Sequence, residues 1–176
     1  MQTLKLVKTG KVCESEVRYC SPEAVYDLIS TMSRLDREHF IVLHLNGKNN
    51  IIARETVSIG SLQCSIVHPR EVFRGAVHNA SAAVIFAHNH PTGDPSPSPD
   101  DRAITSRLVE AGAILGISVL DHIIVGDGRY YSFCGSGDLK RGTAPIPFVH
   151  NPRPLLERSR KRSQKKTDSK QAVVTK

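Results

Sequence analysis

The sequence predicts a single α/β domain with a mixed β-sheet and helices packed on it. Helical and strand-like hydrophobic periods follow one another in the order α-β-β-α-β-α-β-β. One run, AAVIFAH (82–88), is apolar almost throughout, as expected of a strand buried on both faces. The length, 176 residues, suffices for one domain with a sizeable core and would cramp a second.

Residues 1–20 have weak periodicity and read as a mobile or loosely packed arm. Ser21-Pro22-Glu23 starts a helix with a serine N-cap, a proline at the first position and an acid in the first turn. Val25, Leu28, Ile29, Met32 and Leu35 extend it over residues 22–35. HFIVLHL (39–45) and IIARETVSI (51–59), joined by Asn46-Gly47-Lys48-Asn49-Asn50, predict a β-hairpin. SLQCSIVH (61–68) reads equally as short strand or loop. Pro69 opens a second helix with Val72, Phe73, Ala76, Val77 and Ala80 on one face. After the buried strand 82–88 comes a loop dense in Pro, Gly and Asp. Ser98-Pro99-Asp100-Asp101 begins a third helix, with Ile104, Leu108, Ala111 and Leu115 facing inward and a stop near Gly116. ISVLDHIIV (117–125), the turn Gly126-Asp127-Gly128 and RYYSF (129–133) predict a final hairpin. The patterns fade from about residue 135.

Charge divides the chain. Residues 151–176 hold nine Lys/Arg and two acids, which accounts for the whole net charge of +7; residues 1–150 carry fifteen of each sign. The tail, including RSRKRSQKK (158–166), has a composition that predicts disorder. It offers non-specific nucleic-acid contact through phosphates, or simply a solubilising segment. The neutral body, 5% aromatic content and absence of Trp do not advertise a base-reading surface. With no signal-peptide core and no long apolar run, a cytosolic protein with no membrane partner is expected. Cys13, Cys20, Cys64 and Cys134 form no CxxC pair, which excludes a thiolate zinc knuckle or redox motif of that type.

The chemistry is concentrated at the end of the buried strand. His88 and His90 are two residues apart, so on extended backbone their imidazoles share a face. After seven intervening residues Ser98 and Asp101 open a helix. Two imidazoles and one carboxylate suit Zn²⁺ and leave a fourth position for water, which the ion would acidify. Taken alone, Ser98 and Asp101 read as a capping box, and taken alone the histidines read as ordinary side chains. The combination at a strand end argues for a site.

The pattern His88-x-His90, seven residues, Ser98, two residues, Asp101 resembles the JAMM signature of JAB/MPN-type metalloproteases. AHNHPTGDPSPSPDD (87–101), with SIVHPREVF (65–73) upstream and VLDHIIVG (119–126) downstream, resembles the RadC-like family more closely, over roughly residues 20–134. The resemblance implies a three-layer α/β/α, cytidine-deaminase-like JAB/MPN domain. It implies one zinc per chain on His88, His90 and Asp101, and a catalytic glutamate on the returning strand of the first hairpin, where Glu55 is the match. Glu55 would then take a proton from water and return it to the leaving amine of a peptide or isopeptide, and Ser98 would donate to the oxyanion. The domain is expected over 21–135, an extension over 136–150 and the basic tail over 151–176. Longer members carry an N-terminal helical region that the residues before the motif region are too few to hold.

Competing functions are separable. A zinc nucleotide deaminase needs HxE and PCxxC, and neither is present. A DNA-associated module would work through the tail. A degenerate metal site kept for interaction would be expected to lack a member of the Glu55, His88, His90, Ser98, Asp101 set. Asp121-His122 matches a family motif; His122 reads either as a residue orienting a metal ligand or as an ordinary buried histidine.

Overall fold

The computed structural model describes Tyr19, residues 21–60 and residues 67–139. The basic tail, most of the N-terminal arm and most of SLQCSIVH lie outside the described residues. The elements are α1 (Pro22–Ile29), β1 (His39–Leu45), β2 (Ile51–Ile59), α2 (Pro69–His78), β3 (Ala83–Asn89), α3 (Pro99–Leu115), β4 (Ser118–Val125) and β5 (Tyr130–Ser132). The expected order of helices and strands is reproduced. Among the described residues no helix is long and apolar enough to cross a membrane.

The five strands form one sheet in the order β2-β1-β3-β4-β5. β1 runs antiparallel to both β2 and β3, β3 pairs parallel with β4, and β5 returns antiparallel, so the sheet is mixed. Alternation along the strands divides the core in two. Phe40, Val42, Phe86 and Ile124 pack with Val72, Phe73 and Leu108 of α2 and α3. Ile41, Leu43, Ile85 and Ile123 face the other way and pack with Val25 and Ile29 of α1. The result is the three-layer α/β/α arrangement.

Three local expectations are corrected. The first helix stops at Ile29 and continues as a 3-10 turn over Ser30–Arg34. Ser30 Oγ donates to the Asp27 carbonyl and Ser33 Oγ to the Ser30 carbonyl, the kind of local side-chain bonding that competes with regular helix. On α2, Val77 is 62% exposed, and Ala80 lies beyond the helix with φ +49°. On α3 the buried positions are Asp101, Thr105, Leu108 and Gly112; Ile104 and Ala111 pack against the core half-buried beside them, and Leu115, expected inward, is exposed. The helical period is intact, but three of its four buried positions are polar or glycine. Gly112 is needed there, because a Cβ would lie 2.6 Å from the Ile117 carbonyl oxygen as the chain turns into β4.

Asp121 ties β4 to the turn after β5. Its fully buried carboxylate accepts from the Ser132 hydroxyl (2.6 Å) and from the backbone N–H groups of His122 (2.8 Å) and Cys134 (2.9 Å). Asp121→Ala leaves those donors facing an apolar hole. We expect a loss of about 2–4 kcal/mol, read as a lower urea midpoint at unchanged slope; an unshifted midpoint would show that the carboxylate holds nothing.

Candidate metal centre

β3 carries His88 to the C-terminal end of the sheet, and the His90 N–H still bonds the Val125 carbonyl of β4 (3.0 Å). The extended spacing therefore runs through both histidines. His88 Nε2 and His90 Nε2 lie 3.0 Å apart. α3 begins opposite them, and Asp101 brings Oδ1 to 3.2 Å from His88 Nε2 and Oδ2 to 3.5 Å from His90 Nε2. The side chains of His88 and Asp101 are buried, and that of His90 nearly so. The sequence-predicted ligand set is thus assembled in space, with its ligand atoms all within 4.8 Å of one another.

Asp101 is oriented by the helix start. Ser98 donates to Oδ2 from its backbone N–H (2.8 Å) and its hydroxyl (2.6 Å), and the Asp101 N–H returns a bond to Ser98 Oγ (3.1 Å). This is the expected capping box. It saturates Oδ2 and spends the Ser98 proton on the carboxylate in this arrangement. Oδ1 is buried and makes no hydrogen bond.

His90 is oriented by its loop. Its Nδ1–H donates to the Asp94 carbonyl (2.7 Å), which leaves Nε2 as the ligand atom. Asp94 in turn is fixed by bonds from the Ser96 N–H and hydroxyl to its own carboxylate. The loop is pinned against β4, where the Asp127 N–H meets the Gly93 carbonyl (2.9 Å). A Cβ on Gly126 would lie 2.5 Å from that same oxygen and 2.7 Å from Pro95 Cδ. His88 presents Nδ1 to His122 Nε2 at 2.8 Å.

The electrostatics follow from this geometry. Burial by itself would raise the Asp101 pKa, but contacts from His88, His90 and Ser98 outweigh it and hold the carboxyl far below the usual range. The Asp101 contact raises His90 against the opposing effect of burial. Burial, aided by the neighbouring His88, pushes His122 well below the usual histidine range, so it is neutral. Two imidazole nitrogens and an ionised carboxylate, with one oxygen that makes no hydrogen bond among the described residues, converge on one point, where an imidazole proton or a cation offsets the repulsion of their lone pairs. The residues present fit a divalent cation bound through nitrogen and oxygen.

Glu55 stands apart from this cluster. It faces the same layer as His88, since Glu55 pairs with Val42, Val42 with Phe86, and His88 follows Phe86 by two residues. Its carboxylate lies over Gly75, 3.4 Å from His44 Nε2 and 3.8 Å from Arg74, and Oε2 makes no hydrogen bond. Burial lowers the pKa of His44, with Glu55 opposing.

A family profile described as a RadC-like JAB domain matches residues 19–138. The chain belongs to the RadC-like JAB family. Its relatives include a UPF0758 protein of Pelobacter propionicus, 58% identical over 131 residues that cover 74% of this chain and 57% of that protein. Another, from Shouchella clausii, is 59% identical over 113 residues, 64% of this chain and 49% of the relative. A third, from Methanosarcina acetivorans, is 54% identical over 125 residues, 70% and 55%. The chain therefore spans about half the length of these RadC-family relatives. The match contains every residue of the centre.

Sequence reasoning left His122 open between two roles and missed Thr105, the Asp94 carbonyl and His44. Thr105 had a signal, since it falls one helical turn after Asp101. His44 shares strand alternation with Phe40 and Val42, but its approach to Glu55 depends on hairpin register. If the centre is a metal site, His88→Ala and Asp101→Ala lose more than the ~10–100-fold in affinity that an outer partner costs. Gly126→Ala, by displacing the Gly93–Pro95 loop, falls within that range. Competition titration against a chromophoric chelator reads all three, and unchanged affinity in His88→Ala and Asp101→Ala would remove His88 and Asp101 as ligands.

Proposed function

We propose that the chain is a zinc-dependent hydrolase of the metallopeptidase or isopeptidase type. The observation that supports this most is the buried His88–His90–Asp101 convergence with the bare Asp101 Oδ1. A bound Zn²⁺ would acidify water and polarise an amide carbonyl, the two things that amide hydrolysis needs. His90 borders solvent while His88 and Asp101 are sealed, so a substrate would approach from the His90 side.

Glu55 is the proton carrier in this reading. Strands lie about 4.8 Å apart and rise about 3.3 Å per residue, which puts the Glu55 and His88 Cα atoms on the order of 12 Å apart across one sheet face. Side chains from those positions can face a single amide group between them. The reading requires the carboxylate to turn from Arg74 and His44 toward β3, take a proton from water and return it to the leaving amine. Ser98 is the oxyanion donor, which requires its hydroxyl to turn from Asp101 Oδ2 to the substrate oxygen.

Glu55→Gln keeps the carbonyl oxygen and size of the side chain but cannot shuttle a proton. It is expected to retain one zinc per chain while hydrolysis of peptide or isopeptide library members falls by about 10²–10⁴-fold. Undiminished turnover in the variant would exclude Glu55; absence of any cleavage by the unmutated, zinc-loaded chain would exclude the hydrolase reading itself.

A further inference from the structure

We infer that His122 and Thr105 are positioning residues that decide which nitrogen of His88 is left bare for a metal. The inference goes beyond the hydrolase reading and rests only on the metal centre. Its starting point is the one group in the chain of contacts whose role is unambiguous, the main-chain carbonyl of Asp101, which can only accept.

Thr105 Oγ1 lies 2.5 Å from that carbonyl oxygen, one helical turn away, so the hydroxyl proton is donated to it. The threonine oxygen then offers lone pairs to its other partner, His122 Nδ1, at 2.6 Å. Nδ1 of His122 therefore carries a proton. The ring is fully buried among Phe40, Phe86 and Phe133, and among the described residues its nitrogens bond Thr105 and His88. An imidazolium there would have no carboxylate to pair with, so the ring holds a single proton. Its Nε2 is an acceptor, and it faces His88 Nδ1 at 2.8 Å. His88 must donate from Nδ1, which leaves Nε2 as the nitrogen available to a metal.

That nitrogen is the one aimed at His90 Nε2 and Asp101 Oδ1. The relay starts at the Asp101 backbone and ends beside the Asp101 side chain. One residue of α3 thereby fixes the tautomer of a histidine on β3 and supplies the carboxylate opposite it. His90 is set by a different route, the Asp94 carbonyl, so the two histidine ligands are oriented independently. Phe133, stacked on His122 at 5.1 Å, holds the ring in plane.

The test has two arms on the full chain, with zinc(II) as the probe. In the metal-free, ¹⁵N-histidine-labelled chain, long-range ¹H–¹⁵N correlations should show His88 protonated at Nδ1 and His122 likewise. Thr105→Val and His122→Phe should weaken zinc binding about 10–100-fold, while Thr105→Ser, which keeps the hydroxyl, stays within about threefold of the unmutated chain. Thr105→Val also changes the His88 tautomer populations while Thr105→Ser leaves them as in the unmutated chain, which mere loosening of the helix would not do. His88 found protonated at Nε2 in the metal-free chain would overturn the inference, as would Thr105→Val binding zinc as tightly as Thr105→Ser. Failure of the unmutated chain to take up zinc would count against the metal centre, whereas the tautomer arm judges the relay alone.

Discussion

Two imidazole nitrogens 3.0 Å apart and a buried carboxylate oxygen with no hydrogen bond among the described residues meet where β3 ends and α3 begins, and only a proton or a cation between them offsets the repulsion of their lone pairs. Much of the surrounding structure serves to hold them together. The parallel pairing of β3 with β4 extends the strand through His90. The Asp94 turn takes one imidazole proton, and the capping box aims the carboxylate. The α3 dipole favours an ionised Asp101 at its N-terminus. Each of these stabilises an arrangement whose remaining electrostatic cost a cation would offset.

The same constraint explains the unusual inner face of α3. A helix packed on a sheet ordinarily turns its most apolar stripe inward. Here the inward stripe begins with Asp101 and Thr105, and the apolar stripe beside it is left partly in solvent, with Ile114 and Leu115 exposed. Gly112 then lets the helix end close on the start of β4. The helix thus shares its inner face between the site and the core, where Ile104, Leu108 and Ala111 pack.

Much of this could be read from the residues. The buried strand, the helix starts at Ser21, Pro69 and Ser98, and the spacing of His88, His90 and Asp101 are local features, set by strand alternation and by the chemistry of helix N-termini. What escaped is non-local. His122 reaches His88 only because Phe86 pairs with His122 in the parallel ladder, and a one-residue slip would send it to the other face. Glu55 meets His44 and Arg74 through hairpin register and the docking of α2. No local pattern encodes either. The α3 stripe was read only in part, with Ile104, Leu108 and Ala111 on the core and Leu115 off it, because hydrophobic periodicity cannot see buried Asp, Thr and Gly. Family membership confirms the frame, while the placement of Glu55 away from the cluster is information that only the fold carries.

The most direct measurement is zinc K-edge X-ray absorption on the chain loaded with one equivalent of zinc. The account predicts nitrogen and oxygen neighbours only, at about 2.0–2.2 Å, with the multiple-scattering signature of two imidazoles. A sulfur neighbour at about 2.3 Å would place the metal on cysteine, and failure to retain zinc at all would mean that the buried acceptors are held together by the fold alone.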